Sequence, residues 1–217
     1  MHRRPLIRHV ARTVACATAL TAVLAGVSAT QPVAADGVMP ADSLGAFVGF
    51  DKEARFRQME SALGRPLDRV VTMAAHNSPA GMRSSFWGQF ASSDAYLPAL
   101  SDRLDVTVTI PLAFGPKAPY RRGGPAEVLK GLRKTVSGAY DDDFRVVART
   151  LVAAGYSDAV LRLGHEFDGT WVQWSARDNE QGYIEAFRHV RSVFEQESKA
   201  FRYEWTGMRA PWRAHAR

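Results

Sequence analysis

Ala159-Val-Leu-Arg-Leu163-Gly-His-Glu-Phe-Asp-Gly-Thr-Trp171-Val-Gln-Trp174 opens as a strand, Ala159 to Leu163, and passes directly into a loop rich in polar and aromatic residues. Tyr183, Ile184, Phe187, Val190 and Phe194 follow at helical spacing, which predicts a helix with a buried face. Asp178 and Gln181 stand in front of it in the order of a capping box. Phe201-Arg-Tyr-Glu-Trp205 is the next strand. Strand, helix and strand in succession predict parallel strands joined by a right-handed crossover.

The same alternation extends toward the N-terminus. Leu44 to Phe50 is a first strand, Asp51 caps a helix that runs to Leu63, and Gly64 ends it. Arg69 to Ala74 is a second strand, and a long loop, His76 to Phe90, follows. A short helix near Ala95–Asp102 leads to a third strand, Asp105 to Ile110, which Pro111 stops because proline cannot donate to the ladder. Phe114 to Pro125 is a Gly/Pro-rich loop, and residues 126–135 are helical. Phe144, Val147, Ala148, Leu151 and Val152 then mark a stronger helix over Asp141–Ala154, ended by Gly155. The run Asp141-Asp142-Asp143 complements the dipole of that helix and is not read as a cation site. The fold class is α/β, with five strands and four crossovers. An open doubly wound sheet suits that count, but it calls for a Gly-rich loop after its first strand. Gly49-Phe50-Asp51-Lys52 supplies none.

Strand side chains alternate faces, so Arg162, Gly164 and Glu166 share one side and Leu161 and Leu163 the other. With the leucines against helices, Arg162 and Glu166 face the sheet interior at its C-terminal edge, where parallel β/α folds bind ligands. Gly164 is expected to leave room for a bulky ligand. Trp171 and Trp174 supply flat apolar faces suited to sugar rings. A carboxyl group in such a cleft can stay protonated and donate to a glycosidic oxygen. Trp87 and His76, in the loop after the second strand, are further subsite candidates, and His76 could instead fix its loop by a hydrogen bond. A structural ion pair of Glu166 with Arg162, or core positions for the tryptophans, are the alternatives. His165, Glu166 and Asp168 do not form a zinc motif, because Gly stands at position 169. No cofactor or metal is expected.

Arg162-Leu-Gly-His-Glu-Phe-Asp-Gly-Thr-Trp171 resembles the acid/base motif of glycoside hydrolase family 26, the β-mannanase family. Gly45–Gly49, Tyr183–Val190 and Phe201–Trp205 resemble flanking segments, so the similarity spans roughly Leu44 to Trp205. The resemblance implies a (β/α)8 TIM-barrel type of domain, here incomplete, over residues 36–206. It implies a retaining mechanism with Glu166 as acid/base, His165 and Arg162 orienting the site, and Trp171 and Trp174 lining sugar subsites. The substrate would be mannan or a related plant polysaccharide, the protein a monomer. Asp168 departs from the Asn usual in the family. No residue matches the nucleophile, and Glu204, in the fifth strand, is not assigned that role. A retaining enzyme places two carboxyls ~5–5.5 Å apart, so little or no mannan hydrolysis is expected from these 217 residues. A β-glucan or β-xylan specificity, or a non-catalytic carbohydrate-binding protein, are the rival expectations.

The termini complete the reading. Arg3, Arg4, Arg8 and Arg12, an apolar stretch from Val14 to about Ala29, and Val33-Ala34-Ala35 describe a secretory signal peptide over residues 1–35. Its apolar stretch is short for a membrane span of ~20 residues. Removing it lowers the net charge from +6 to +2, so the basic balance does not point to nucleic acid. A secreted protein with no membrane contact after cleavage is expected. Cys16, the only cysteine, lies inside the leader, so disulfides and thiolate chemistry are excluded from the mature chain. Residues 207–217 carry three arginines and no acid and continue no strand or helix. They are expected to mark a truncated or frame-shifted gene.

Overall fold

The computed structural model describes residues 43–48, 53–115 and 119–208, with the side chains of 119–122 left aside. The proposed leader, Asp51 and the end of the C-terminal tail lie outside these residues. Five strands, β1 (Gly45–Phe47), β2 (Arg69–Met73), β3 (Asp105–Ile110), β4 (Val160–Leu163) and β5 (Arg202–Glu204), form one parallel sheet in sequential order. Helices α1 (Glu53–Leu63), α2 (Pro79–Phe90), α3 (Pro119–Val136), α4 (Asp141–Ala153) and α5 (Glu180–Glu197) join them. Sequential order with right-handed crossovers stacks every helix on one face. Register shows the same division. Thr72, Val108, Leu161 and Tyr203 form one row across the sheet. Thr72 bonds Gln89 on α2, and the Tyr203 hydroxyl donates to the Arg191 carbonyl on α5. The next row, Met73, Thr109, Arg162 and Glu204, therefore faces away from the helices.

The core lies between sheet and helices. Val70, Val106, Val108, Ile110, Leu161 and Leu163 meet Phe86, Val128, Leu132, Phe144, Leu151, Val190 and Phe194 there, all nearly free of solvent. At about 25 cal/mol per Å² of apolar surface, each such side chain contributes about 1.5–3 kcal/mol. Two of the three aspartates that open α4 tie it to neighbouring helices, and the third pairs within α4. Asp143 pairs with Arg83 on α2, Asp141 with His189 on α5 at 2.7 Å, and Asp142 with Arg145 at 2.8 Å.

Several elements differ from the sequence expectation. The stretch expected to be a loop after β2 is largely helix α2. The Ser78 hydroxyl accepts from the Gly81 N–H, Pro79 occupies the first turn, and Met82, Phe86, Gln89 and Phe90 are buried. Burial and a sound N-cap outweigh the low propensity of Gly81 and Gly88. The helix expected near Ala95–Asp102 is a single 3-10 turn, Pro98–Leu100. The loop expected up to Pro125 turns helical at Pro119, and the helix breaks at Gly124 (φ 61°, ψ −155°) before Pro125 restarts it. The capping box does not form. Asp178 has φ 57°, Asn179 supplies no side-chain cap, and Gln181 donates to Glu185 instead. Among the described residues no helix is long and apolar enough to cross a membrane.

Candidate functional site

β4 ends at Gly164, whose φ of +61° bends the chain over the C-terminal edge of the sheet. Both flanking strands hold this exit. The Gly164 N–H donates to the carbonyl of Ile110, the last residue of β3, at 2.9 Å, and the Glu166 N–H donates to the Thr206 carbonyl beyond β5 at 2.7 Å. The Tyr183 hydroxyl lies 3.2 Å from the carbonyls of Leu163 and Gly164. The space beside Gly164 is filled: a Cβ there would stand 2.6 Å from Leu112 and 3.0 Å from Tyr183. The room expected for a ligand is taken up by core packing.

Glu166 itself adopts φ +52°, a left-handed conformation that side chains disfavour. Such strain persists where the surroundings over-determine it, and it concentrates at functional sites. Its amide is fixed by Thr206, its carbonyl accepts from Gly169 at 2.9 Å, and its Oε2 accepts the indole N–H of Trp171 at 2.8 Å. Trp171 lies over Gly169, where a Cβ would come within 2.5 Å of the ring. The ring is 45% exposed. An acidic oxygen and an accessible aromatic face thus occupy one spot at the sheet edge.

Arg162 pairs with Glu204, its register neighbour on β5. This replaces the alternative ion pair with Glu166. Asp168 accepts from the Met208 N–H at 2.9 Å and 3.1 Å through its two oxygens. Its charge anchors the segment after β5. Sequence reasoning left Glu204 without a role, and only the register of β5 reveals its partner.

Trp174 is corrected: it is 1% exposed and cannot offer a face to a sugar. Its indole N–H donates to the His165 carbonyl at 2.7 Å, and its ring lies between His165 and His76, with centroids 5.2 Å and 6.0 Å away. The three residues are brought together as one packed group behind Glu166. His165 Nδ1 is buried without a hydrogen bond among the described residues. Burial pushes the His165 pKa below its ordinary value, against the opposing pull of the Glu166 charge. Trp87 is also corrected. It is 62% exposed, but it sits in the last turn of helix α2 and not in a loop. Two clefts flank α3, and Glu166 lines neither. Among the described residues, no three His, Cys, Asp or Glu side chains gather as a metal would need.

No protein-family model matches this chain, and no curated protein matches it significantly.

Proposed function

We propose that the chain is a secreted glycoside hydrolase of the β-mannanase type, with its sheet an arc of a (β/α)8 barrel. Glu166 is then the acid/base, and Trp171 is the platform for a sugar ring. Sequential parallel strands with helices on one face support the barrel reading. The observation that carries the functional reading is the bond from the Trp171 indole to the Glu166 carboxyl at the C-terminal edge. A carboxyl oxygen beside an exposed indole supports this reading, because glycosidic cleavage needs a proton-transferring carboxyl group next to the bound sugar. The proposed substrate is mannan or a related β-glycan, bound by a monomer without cofactor.

A second reading has its own support. The neighbouring carboxylates are engaged, Glu204 by Arg162 and Asp168 by the Met208 amide. Neither is placed as a nucleophile, and this favours a carbohydrate-binding protein without hydrolysis. Glu166→Gln separates the two. Reducing-sugar release from mannan by the native chain, lost in the variant, supports the hydrolase. Retention on mannan, glucan or xylan gels by both proteins, with no sugar release by either, supports the binder. No retention and no release would sink both.

A further inference from the structure

Arginines across the fold have carboxylate partners, such as Arg69 with Asp105, Arg103 with Glu60 and Arg149 with Glu197. Helix α3 carries three cations outside such pairs, as are Arg55 on α1 and Arg188 on α5 among the described residues. Lys130, Arg133 and Lys134 stand exposed on α3, and no ion pair engages them among the described residues. Lys130 and Lys134 are four residues apart and so project from the same side of the helix.

These two lysines line two adjoining clefts. One, of 380 Å³, runs along the outer surface of α3 past Leu129 and Arg133. The other, of 160 Å³, lies between α3 and the loops that leave β3 and β4, bounded by Phe114, Gly115, Glu127, Gly131 and Gln173. Gly131 keeps the second cleft open. An added Cβ would stand 3.4 Å from Ala113 and about 4 Å from the carbonyl oxygens of Gln173 and Phe114, so a larger side chain would project into the space. Glycine in a helix interior is unfavourable by about 1 kcal/mol relative to alanine.

The lining sorts by chemistry. Two ammonium groups stand at the rim against a single carboxylate, Glu127, so the cleft carries a net positive charge. Phe114 gives one apolar wall, and backbone carbonyls that could accept from hydroxyls lie behind Gly131. Cations at the rim, acceptors inside and a volume suited to one ring match a small polyhydroxylated anion. We infer that this cleft binds a monosaccharide-sized ligand carrying a carboxylate, such as a uronate, with its acid group on Lys130 and Lys134. The site is separate from Glu166 and does not depend on hydrolysis.

Calorimetric titration of the full chain with glucuronate, inorganic phosphate and glucose tests it. Glucuronate should bind saturably and more tightly than phosphate, and glucose should be much weaker. Rising salt should weaken the uronate, because the rim charges are exposed. The double variant Lys130→Met, Lys134→Met should lose about tenfold or more in affinity, as expected for lost hydrogen bonds to a charged group. Lys199→Met, which removes one positive charge elsewhere, should bind as the native chain does. Absence of saturation with glucuronate, phosphate binding as tightly as glucuronate, or unchanged affinity in the double variant would each overturn the inference.

Discussion

Arg162 on β4 and Glu204 on β5 stand at the same level of the sheet and neutralise each other on its helix-free face. The guanidinium is therefore engaged without Glu166, whose carboxyl is bound by Trp171 instead. Both partners are about one-quarter to one-third exposed (26% and 31%), so screening limits the pair to about 1 kcal/mol. Glu204→Ala should destabilise the chain by about that amount in urea unfolding. In an Arg162→Ala background the same change should have almost no effect. Equal losses in both backgrounds would refute the coupling.

Gly164 is a stricter constraint. Its positive φ disfavours any side chain by about 1–2 kcal/mol, and the Cβ would press on Leu112 and Tyr183 at 2.6 Å and 3.0 Å. Overpacking adds about 1–3 kcal/mol. Gly164→Ala should therefore lower stability by about 3 kcal/mol in denaturant titration, a loss that few single surface changes reach. A variant within about 0.5 kcal/mol of the native chain would mean the strand exit is less tightly packed.

His165 predicts a pH dependence. Burial holds its pKa below the ordinary value, so the folded ring resists a proton that the unfolded ring accepts below about 6.5. The stability tied to the neutral ring is complete above about pH 6.5 and is lost as pH falls through the folded value. Unfolding free energy measured from pH 7 downward should decline more steeply in the native chain than in His165→Phe. Parallel curves for the two proteins would reject the assignment.

The parts of the fold legible in the sequence were those with local signals. β3 matches its expected bounds, because β-branched residues run from Val106 to Ile110 and Pro111 ends the ladder. Helix α4 was legible from its apolar spacing and closing Gly155. Helix α2 was hidden by Gly81, Gly88 and its serines, although Met82, Phe86, Gln89 and Phe90 already carried the helical period. The site was legible only in part. Glu166 and Trp171 are five residues apart in one loop, and their neighbourhood follows from that. The burial of Trp174 depends on a carbonyl nine residues earlier and on His76 from another loop, which no local pattern encodes. Glu204 reaches Arg162 through strand register, a long-range property fixed by the whole crossover.

Trp171 offers the most direct test of the proposed sugar platform. Its indole rests on Gly169, and a methyl group there would come within 2.5 Å of the ring. Gly169→Ala must therefore push the ring aside and break its bond to Glu166. Trp171→Phe does the reverse: it keeps an aromatic face and removes only the N–H. If the ring stacks on a sugar, Trp171→Ala and Gly169→Ala should lose retention on mannan gels. The loss should be about tenfold, in line with about 0.5–1.5 kcal/mol for an aromatic contact beyond its buried area. Trp171→Phe should keep most of the retention, because the face survives. Any hydrolysis present should fall further in Trp171→Phe than binding does, because the lost N–H fixes the Glu166 carboxyl rather than the sugar. Retention equal to the native protein in Gly169→Ala, with circular dichroism showing an intact fold, would mean that the exposed indole is not where the polysaccharide lies.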